Sequence, residues 1–257
     1  MCIQEKVIFH HKYRSVVIQL LTFTRAVTMP GIPFYFTFQS HNLHSQGSSL
    51  WLLPPPSSLI EKSLLNLTTN IIPSSLPHVK KFPLLLPHLT LTSGIPDSVT
   101  DDEGMARQEW FESLPISLTR PSIVRFQTLD IGARVTKKLT LRVAKEGSLV
   151  DLAIQLRAMA VEGGSRKAAE EWAKTTWAPH VSLLYADTNI EEDERLEAMK
   201  AVKDNGIHLE KNGEEPTEPT EPTYAGWEGG KILWVDTRGE IGGWTILGKR
   251  DVKVRGI

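Results

Sequence analysis

Two short stretches of the chain share a frame that can do acid–base chemistry: Pro87-His88-Leu89-Thr90-Leu91 and Pro179-His180-Val181-Ser182-Leu183. In an extended strand, residues i and i+2 face the same way, roughly 6.6 Å apart along the chain. Each stretch therefore offers one imidazole and one hydroxyl on one side and turns apolar residues to the other. Imidazole titrates near neutrality, so one ring can take a proton while a protonated partner gives one. Opening a five-membered cyclic phosphate needs that pair: a base for the attacking water and an acid for the departing sugar oxygen. Each role typically contributes about 10²–10⁴ in rate. The hydroxyls of Thr90 and Ser182 can donate to the non-bridging oxygens, where negative charge grows.

A single His-x-Thr on a strand is usually an accident; the force of the pattern lies in its repetition in two distant parts of the chain. His78 also follows a proline but is succeeded by Val79-Lys80 and lacks the hydroxyl. HExxH and CxxC are both absent, and the one cysteine is Cys2. The sequence therefore calls for no metal, no cofactor and no disulfide. The cysteine usage fits a reducing, cytoplasmic setting, with a secretory route through the N-terminal residues left open. A formal net charge of -1 supplies no basic field for long nucleic acid. The expected partner is a small anionic substrate, and the expected state is a monomer. No apolar run is long enough to span a bilayer; the best candidate, residues 16–23, carries Gln19 and Thr22.

At 257 residues, 40% apolar and 23% charged, the chain can form one large domain or two small lobes. Residues 1–46 hold four of the eight histidines and no clear period. They are expected to lie outside the fold, as a disordered leader or a gene-model artefact, leaving 47–257 as the functional domain. Ser49 to Leu53 reads as a strand stopped by Pro54-Pro55-Pro56. Ser58-Leu-Ile-Glu61 is a capping-box pattern for a helix carrying Ile60, Leu64 and Leu67. A strand is expected over 84–92, then a helix opened by Thr100 and carrying Met105, Trp110 and Phe111. Strands follow near 122–131 and 137–144, with a turn at Gly132. Ser148 opens a helix that ends by Gly163-Gly164. A strand over 180–185 precedes a helix capped from Thr188 to Glu191 and closed by Asn205-Gly206. Three Glu-Pro-Thr triplets within 210–230 read as an extended loop, and strands over 231–236 and 244–247 end the chain. Mixed elements without strict alternation favour an α+β fold with antiparallel pairing.

The pair of motifs resembles the two-histidine (2H) phosphoesterase superfamily, defined by two His-x-Thr/Ser motifs. The second copy, Pro-His-Val-Ser-Leu-Leu-Tyr185, resembles the plant and fungal 2′,3′-cyclic-nucleotide 3′-phosphodiesterases, and the likeness runs from about Ser49 to the C-terminus. It implies a two-lobed, LigT-like α+β fold with antiparallel sheets around a central cleft. It also implies metal-independent hydrolysis of ADP-ribose 1″,2″-cyclic phosphate, a by-product of tRNA splicing, and of nucleoside 2′,3′-cyclic phosphates to 2′-phosphates. His88, Thr90, His180 and Ser182 match motif positions. Tyr185 matches a position whose ring contacts substrate in plant relatives, although strict alternation turns it away from His180. Which imidazole is the base stays open, with His180 favoured. Action on RNA ends, or nucleotide binding without hydrolysis, are the alternatives. Arg166, Lys167 and Lys174 are candidates for the diphosphate or a solvated helix face, Trp177 for adenine stacking or burial, and Thr92 for the cleft or a backbone contact.

Overall fold

The computed structural model describes residues 47–84, 86–96, 105–118, 120–210 and 224–254. The expectations for residues 1–46, the Thr100 cap and the Glu-Pro-Thr triplets lie outside them; of the loop expected over 210–230, residues 226–228 instead form a strand, because they pair with residues 123–125. The described chain runs β1 (Ser48–Leu53), α1 (Leu59–Asn66), a π turn (Leu67–Ile71), α2 (Ile72–Ser75), β2 (Lys81–Phe82) and β3 (Leu89–Ile95). It continues with α3 (Met105–Ser113), β4 (Ser117–Leu118), β5 (Ile123–Ile131), β6 (Leu139–Val143), α4 (Gly147–Ala160) and α5 (Arg166–Thr175). Then come β7 (His180–Ala186), α6 (Glu192–Asp204), β8 (Gly226–Glu228), β9 (Lys231–Asp236), β10 (Thr245–Asp251) and β11 (Lys253–Val254).

The main sheet has the strand order β10-β9-β1-β3-β7-β6-β5-β8, with β2 added against β7. Its pairings are all antiparallel, so the fold is α+β as the element order implies. The junction between β3 and β7 is a single residue pair, Leu89 with Val181. Elsewhere neighbours pair over two or more residues, so the nine-stranded sheet is a four-stranded and a five-stranded half joined at one point. That point is the middle of both histidine motifs.

One face of both halves carries the main core. Leu50 and Leu52 of β1, Leu89 of β3, Leu139 and Leu141 of β6 and Val181 of β7 are each fully buried there. Helix α4 covers this face with Leu149, Leu152, Ala153 and Leu156, all without exposed surface. Burying side chains of this size contributes about 1.5–3 kcal/mol each. This fixes which edge of each strand looks inward, and hence where the histidines must point.

Several boundaries move for local reasons. The strand expected over 84–92 starts only at Leu89, because Pro87 has no N–H to give to a ladder. Ser58 caps α1 as expected, its Oγ accepting from Glu61 N at 3.2 Å, but the Glu61 carboxylate reaches back to Ser57 N. Helix α6 is capped by Glu191 with Glu194 as its reciprocal partner, and not from Thr188, whose Oγ1 accepts from Lys80 N. Ser148 lies inside the first turn of α4, where its hydroxyl donates to Pro121 O.

Candidate active site

Extending the Leu89–Val181 register by one residue each way sets His88 beside Ser182 and Thr90 beside His180. All four then lie on the face opposite the core. Directly opposed residues have Cβ atoms about 4.5–5.5 Å apart and diagonal ones about 7–8 Å. The two imidazoles occupy diagonal corners, a spacing that one phosphoryl group can bridge.

The rings are held by the same device. His88 Nδ1 lies 2.7 Å from Leu86 O, and His180 Nδ1 lies 2.8 Å from Ala178 O. A carbonyl oxygen only accepts, so Nδ1 carries the proton in each ring and the Nε2 lone pair is left for the cleft. Prolines 87 and 179 sit between ring and carbonyl in both copies and restrain that turn.

Their surroundings differ. His88 is 5% exposed and stacks face to face on Trp51, with ring centroids 3.5 Å apart and planes 4° from parallel. Trp51 is braced edge-on by Trp244, which meets Tyr185 edge-on. Trp51, Leu53, Leu233 and Val235 form a second apolar cluster on this face, with Leu86 and Trp244 packed against it. Burial pushes the His88 pKa down to about 3, against its Leu86 hydrogen bond, and the neighbouring His180 pushes the same way. His180 borders a cavity of about 500 Å³ that also touches Asp130, Lys137, Thr140, Arg142 and Lys145. Its pKa is also lowered, by burial first and then by Lys137 and Arg142, while Ala178 O and Asp130 oppose the shift. Both rings are therefore neutral at pH 7 in the free protein.

The hydroxyls differ too. Thr90 is half-buried, and its side chain has no hydrogen-bond partner among the described residues. Ser182 is buried and its Oγ donates to Thr136 O at 2.9 Å.

A β-bulge follows the hydroxyl residue in each motif. Trp51 pairs with Thr90 but Leu50 pairs with Thr92, so Leu91 is extra and Thr92 turns to the core face. Thr92 is fully buried there with an unpartnered Oγ1, which corrects the expectation that it lines the cleft or satisfies a backbone group. In β7, Thr140 pairs with Ser182 and Leu139 with Leu184, so Leu183 is extra. That bulge reverses the parity and returns Tyr185 to the His180 face. Tyr185 is 3% exposed, and burial raises its phenol pKa. It reaches the site by supporting Trp244, with little ring surface open.

Other sequence candidates move away from the site. Trp177 is buried, and its Nε1 donates to Thr90 O at 3.0 Å, tying the approach to β7 onto β3 and leaving no open face for adenine. Arg166 pairs with Glu170 on the exposed side of α5, where Lys167 and Lys174 are also exposed. The sequence reading misses Trp51, Trp244, Lys137, Thr140 and Arg142. The last two carried a signal: they alternate with Leu139, Leu141 and Val143 along β6. They pair with Ser182 and His180 and share their face.

Among the described residues no group of three or more His, Cys, Asp or Glu side chains is placed to hold a metal ion. No described helix is long and apolar enough to cross a membrane.

The family model for cyclic phosphodiesterase-like proteins matches residues 46–252. A 2′,3′-cyclic-nucleotide 3′-phosphodiesterase of Neurospora crassa is 33% identical over 218 residues, covering 79% of this chain and 98% of the relative. One of Phaeosphaeria nodorum is 32% identical over 208 residues, covering 80% and 99%. Among solved structures, TT0787 of Thermus thermophilus aligns over 82% of this chain and 100% of its own, at 16% identity and a TM-score of 0.47.

Proposed function

Since the chain belongs to the cyclic phosphodiesterase-like family, we propose that it hydrolyses 2′,3′-cyclic nucleotides through His88 and His180, without a metal. The observation that carries this reading is the matched pair of rings, each with Nδ1 on a carbonyl and Nε2 left for the same cleft. His180 borders the open cavity, so it is the ring that incoming water meets. Its Nε2 takes the proton as the water oxygen bonds to phosphorus. The bond from phosphorus to the ribose 3′ oxygen breaks, and that oxygen takes the proton from Nε2 of protonated His88. The product is a nucleoside 2′-phosphate, and return of the proton from His180 completes the cycle. Applied to ADP-ribose 1″,2″-cyclic phosphate, the same steps leave ADP-ribose 1″-phosphate.

The free protein does not hold a proton on His88 Nε2, so the substrate must bring one in. A unit anion about 4 Å away contributes about 4 kcal/mol at an effective dielectric of about 20. That is worth about three pKa units, enough to return His88 most of the way to its ordinary range. The face of Trp51 also favours the charged ring. The hydroxyl of Thr90 is free to donate to a non-bridging oxygen. That of Ser182 must first leave Thr136 O.

The test is product analysis in EDTA. Nucleoside 2′,3′-cyclic phosphates should yield 2′-phosphates only, read by phosphorus NMR. ADP-ribose 1″,2″-cyclic phosphate should turn over faster than a cyclic-phosphate-ended oligonucleotide. Activity abolished by chelation would refute the metal-free mechanism, 3′-phosphates would refute the bond assignment, and preference for the oligonucleotide would favour RNA ends.

A further inference from the structure

The strands that carry the two motifs meet at one residue pair, Leu89 with Val181. A single pair fixes a point and leaves the angle between the strands to other contacts. His88 and Ser182 flank that point on one side, Thr90 and His180 on the other. On the Ser182 side β2 adds itself to β7, through Phe82 with Tyr185 and Lys81 with Ala186. On the His180 side the strand pairing stops and a side chain spans the gap: Trp177 Nε1 donates to Thr90 O at 3.0 Å.

Both ends of this bond bear on the chemistry. Trp177 precedes Ala178, whose carbonyl orients His180. Thr90 carries the unpartnered hydroxyl and lies beside His180 when the register is extended. The indole is itself held: it is 6% exposed, and its ring centroid lies 5.9 Å from that of Trp172 with the planes 30° apart. The Arg157 guanidinium sits 4.8 Å from the centre of the Trp172 ring. Arg157 also donates from Nη1 to Ser93 O at 2.9 Å, three residues along β3 from Thr90, and pairs with Glu162. Side chains from α4, α5 and the segment after α5 thus hold β3 by two of its carbonyls. Burial alone does not place such a bond. Trp227 is equally buried, at 6% exposed, and its Nε1 has no hydrogen-bond partner among the described residues.

We propose that Trp177 is a positioning residue of the two-ring site: its bond to Thr90 O sets the angle between β3 and β7, and with it the diagonal spacing of the imidazoles. The proposal rests on the reading of His88 and His180 as acid and base, and adds a residue that acts through the backbone of Thr90. A misplacement of about 1 Å between reacting groups is worth about 10² in rate, so this bond governs turnover without entering the reaction.

The experiment measures kcat on a nucleoside 2′,3′-cyclic phosphate for the wild type, Trp177→Phe, Trp227→Phe, His88→Ala and the double variant of His88→Ala with Trp177→Phe. Trp177→Phe keeps an apolar ring and removes the donor, and it should lower kcat by about 10–100-fold. Trp227→Phe, the same change at an equally buried ring without a bond, should leave kcat close to the wild-type value. In the His88→Ala background Trp177→Phe should cost little more, since no diagonal is left to hold. A loss in Trp177→Phe no larger than in Trp227→Phe, or an undiminished loss in the His88→Ala background, would overturn the proposal. If Trp177→Phe does not fold, benzothienylalanine at position 177, which keeps the ring shape and lacks the N–H, takes its place in every comparison. If the wild type does not turn over, the hydrolase reading fails and the proposal is read by long-range ¹⁵N–¹H NMR. A nucleoside 2′-phosphate should then shift both histidine Nε2 signals at one dissociation constant in the wild type and at two in Trp177→Phe. A common response in the variant, or none in the wild type, would overturn the proposal.

Discussion

The two histidine strands carry almost the same five residues and the same backbone device, yet they present opposite environments. On the β3 side the floor is Trp51, Leu53, Leu233 and Val235, and His88 is dry and stacked. On the β7 side the neighbours are Thr140, Arg142 and Lys137, and His180 opens on a wide cavity. One half of the sheet packs its imidazole against apolar rings and chains; the other sets its imidazole among cations beside open space. Likeness within a motif therefore says little about what surrounds each copy. The strand beside it decides that.

The largest effects test whether both halves are needed. His88→Ala and His180→Ala should each lower kcat by about 10²–10⁴ in a cyclic-phosphate assay. Their double variant should fall little further, because acid and base act in one step. Additive losses would mean that the rings serve separate steps.

The hydroxyls sharpen the contrast. Thr90→Ala should cost about 10² in kcat/KM, since a free donor aimed at developing charge is lost. Ser182→Ala should cost less than about tenfold, because its proton is committed to Thr136 O. Equal losses would show that Ser182 switches partners when substrate binds.

Trp51 separates positioning from chemistry. Trp51→Leu should lower kcat by about 10–100-fold through a mobile His88 ring, with KM little changed. It should also raise the His88 titration midpoint in proton NMR as water enters. Trp51→Phe should restore most of both. A fall in kcat with an unmoved midpoint would point to general destabilisation.

The smallest effect is on stability. The folded pKa of His88, about 3, lies below its ordinary 6.5. Between those values the unfolded chain binds the extra proton, so stability is lost as pH falls through that window and is unaffected above it. At pH 5 the loss from His88 alone is about 2 kcal/mol. Denaturant midpoints at pH 7 and pH 5 should diverge in the wild type and converge in His88→Gln. Unchanged divergence would place the pH dependence elsewhere.

Much of this contrast could be read from the chain before its folding was known. Each motif announces its own strand, since His-x-Thr and His-x-Ser alternate with leucine and valine. The capping pattern at Ser58 and the run Lys231–Asp236 also read correctly. What escapes is set by pairing across long separations. The bulges at Leu91 and Leu183 exist because neighbouring strands are one residue shorter there, and they send Thr92 inward and Tyr185 back to the His180 face. Trp51 meets Trp244, which lies just before β10 at the other end of the described chain. Arg142 matters only because β6 lies against β7. None of this is written in local periodicity.

The most direct measurement follows both imidazole nitrogens by long-range ¹⁵N–¹H NMR while a nucleoside 2′-phosphate is added. The two Nε2 signals should move together at one dissociation constant, with about one proton taken up per ligand near neutral pH. Response from one histidine alone, or saturation of the two at different ligand concentrations, would contradict a phosphoryl group held between them.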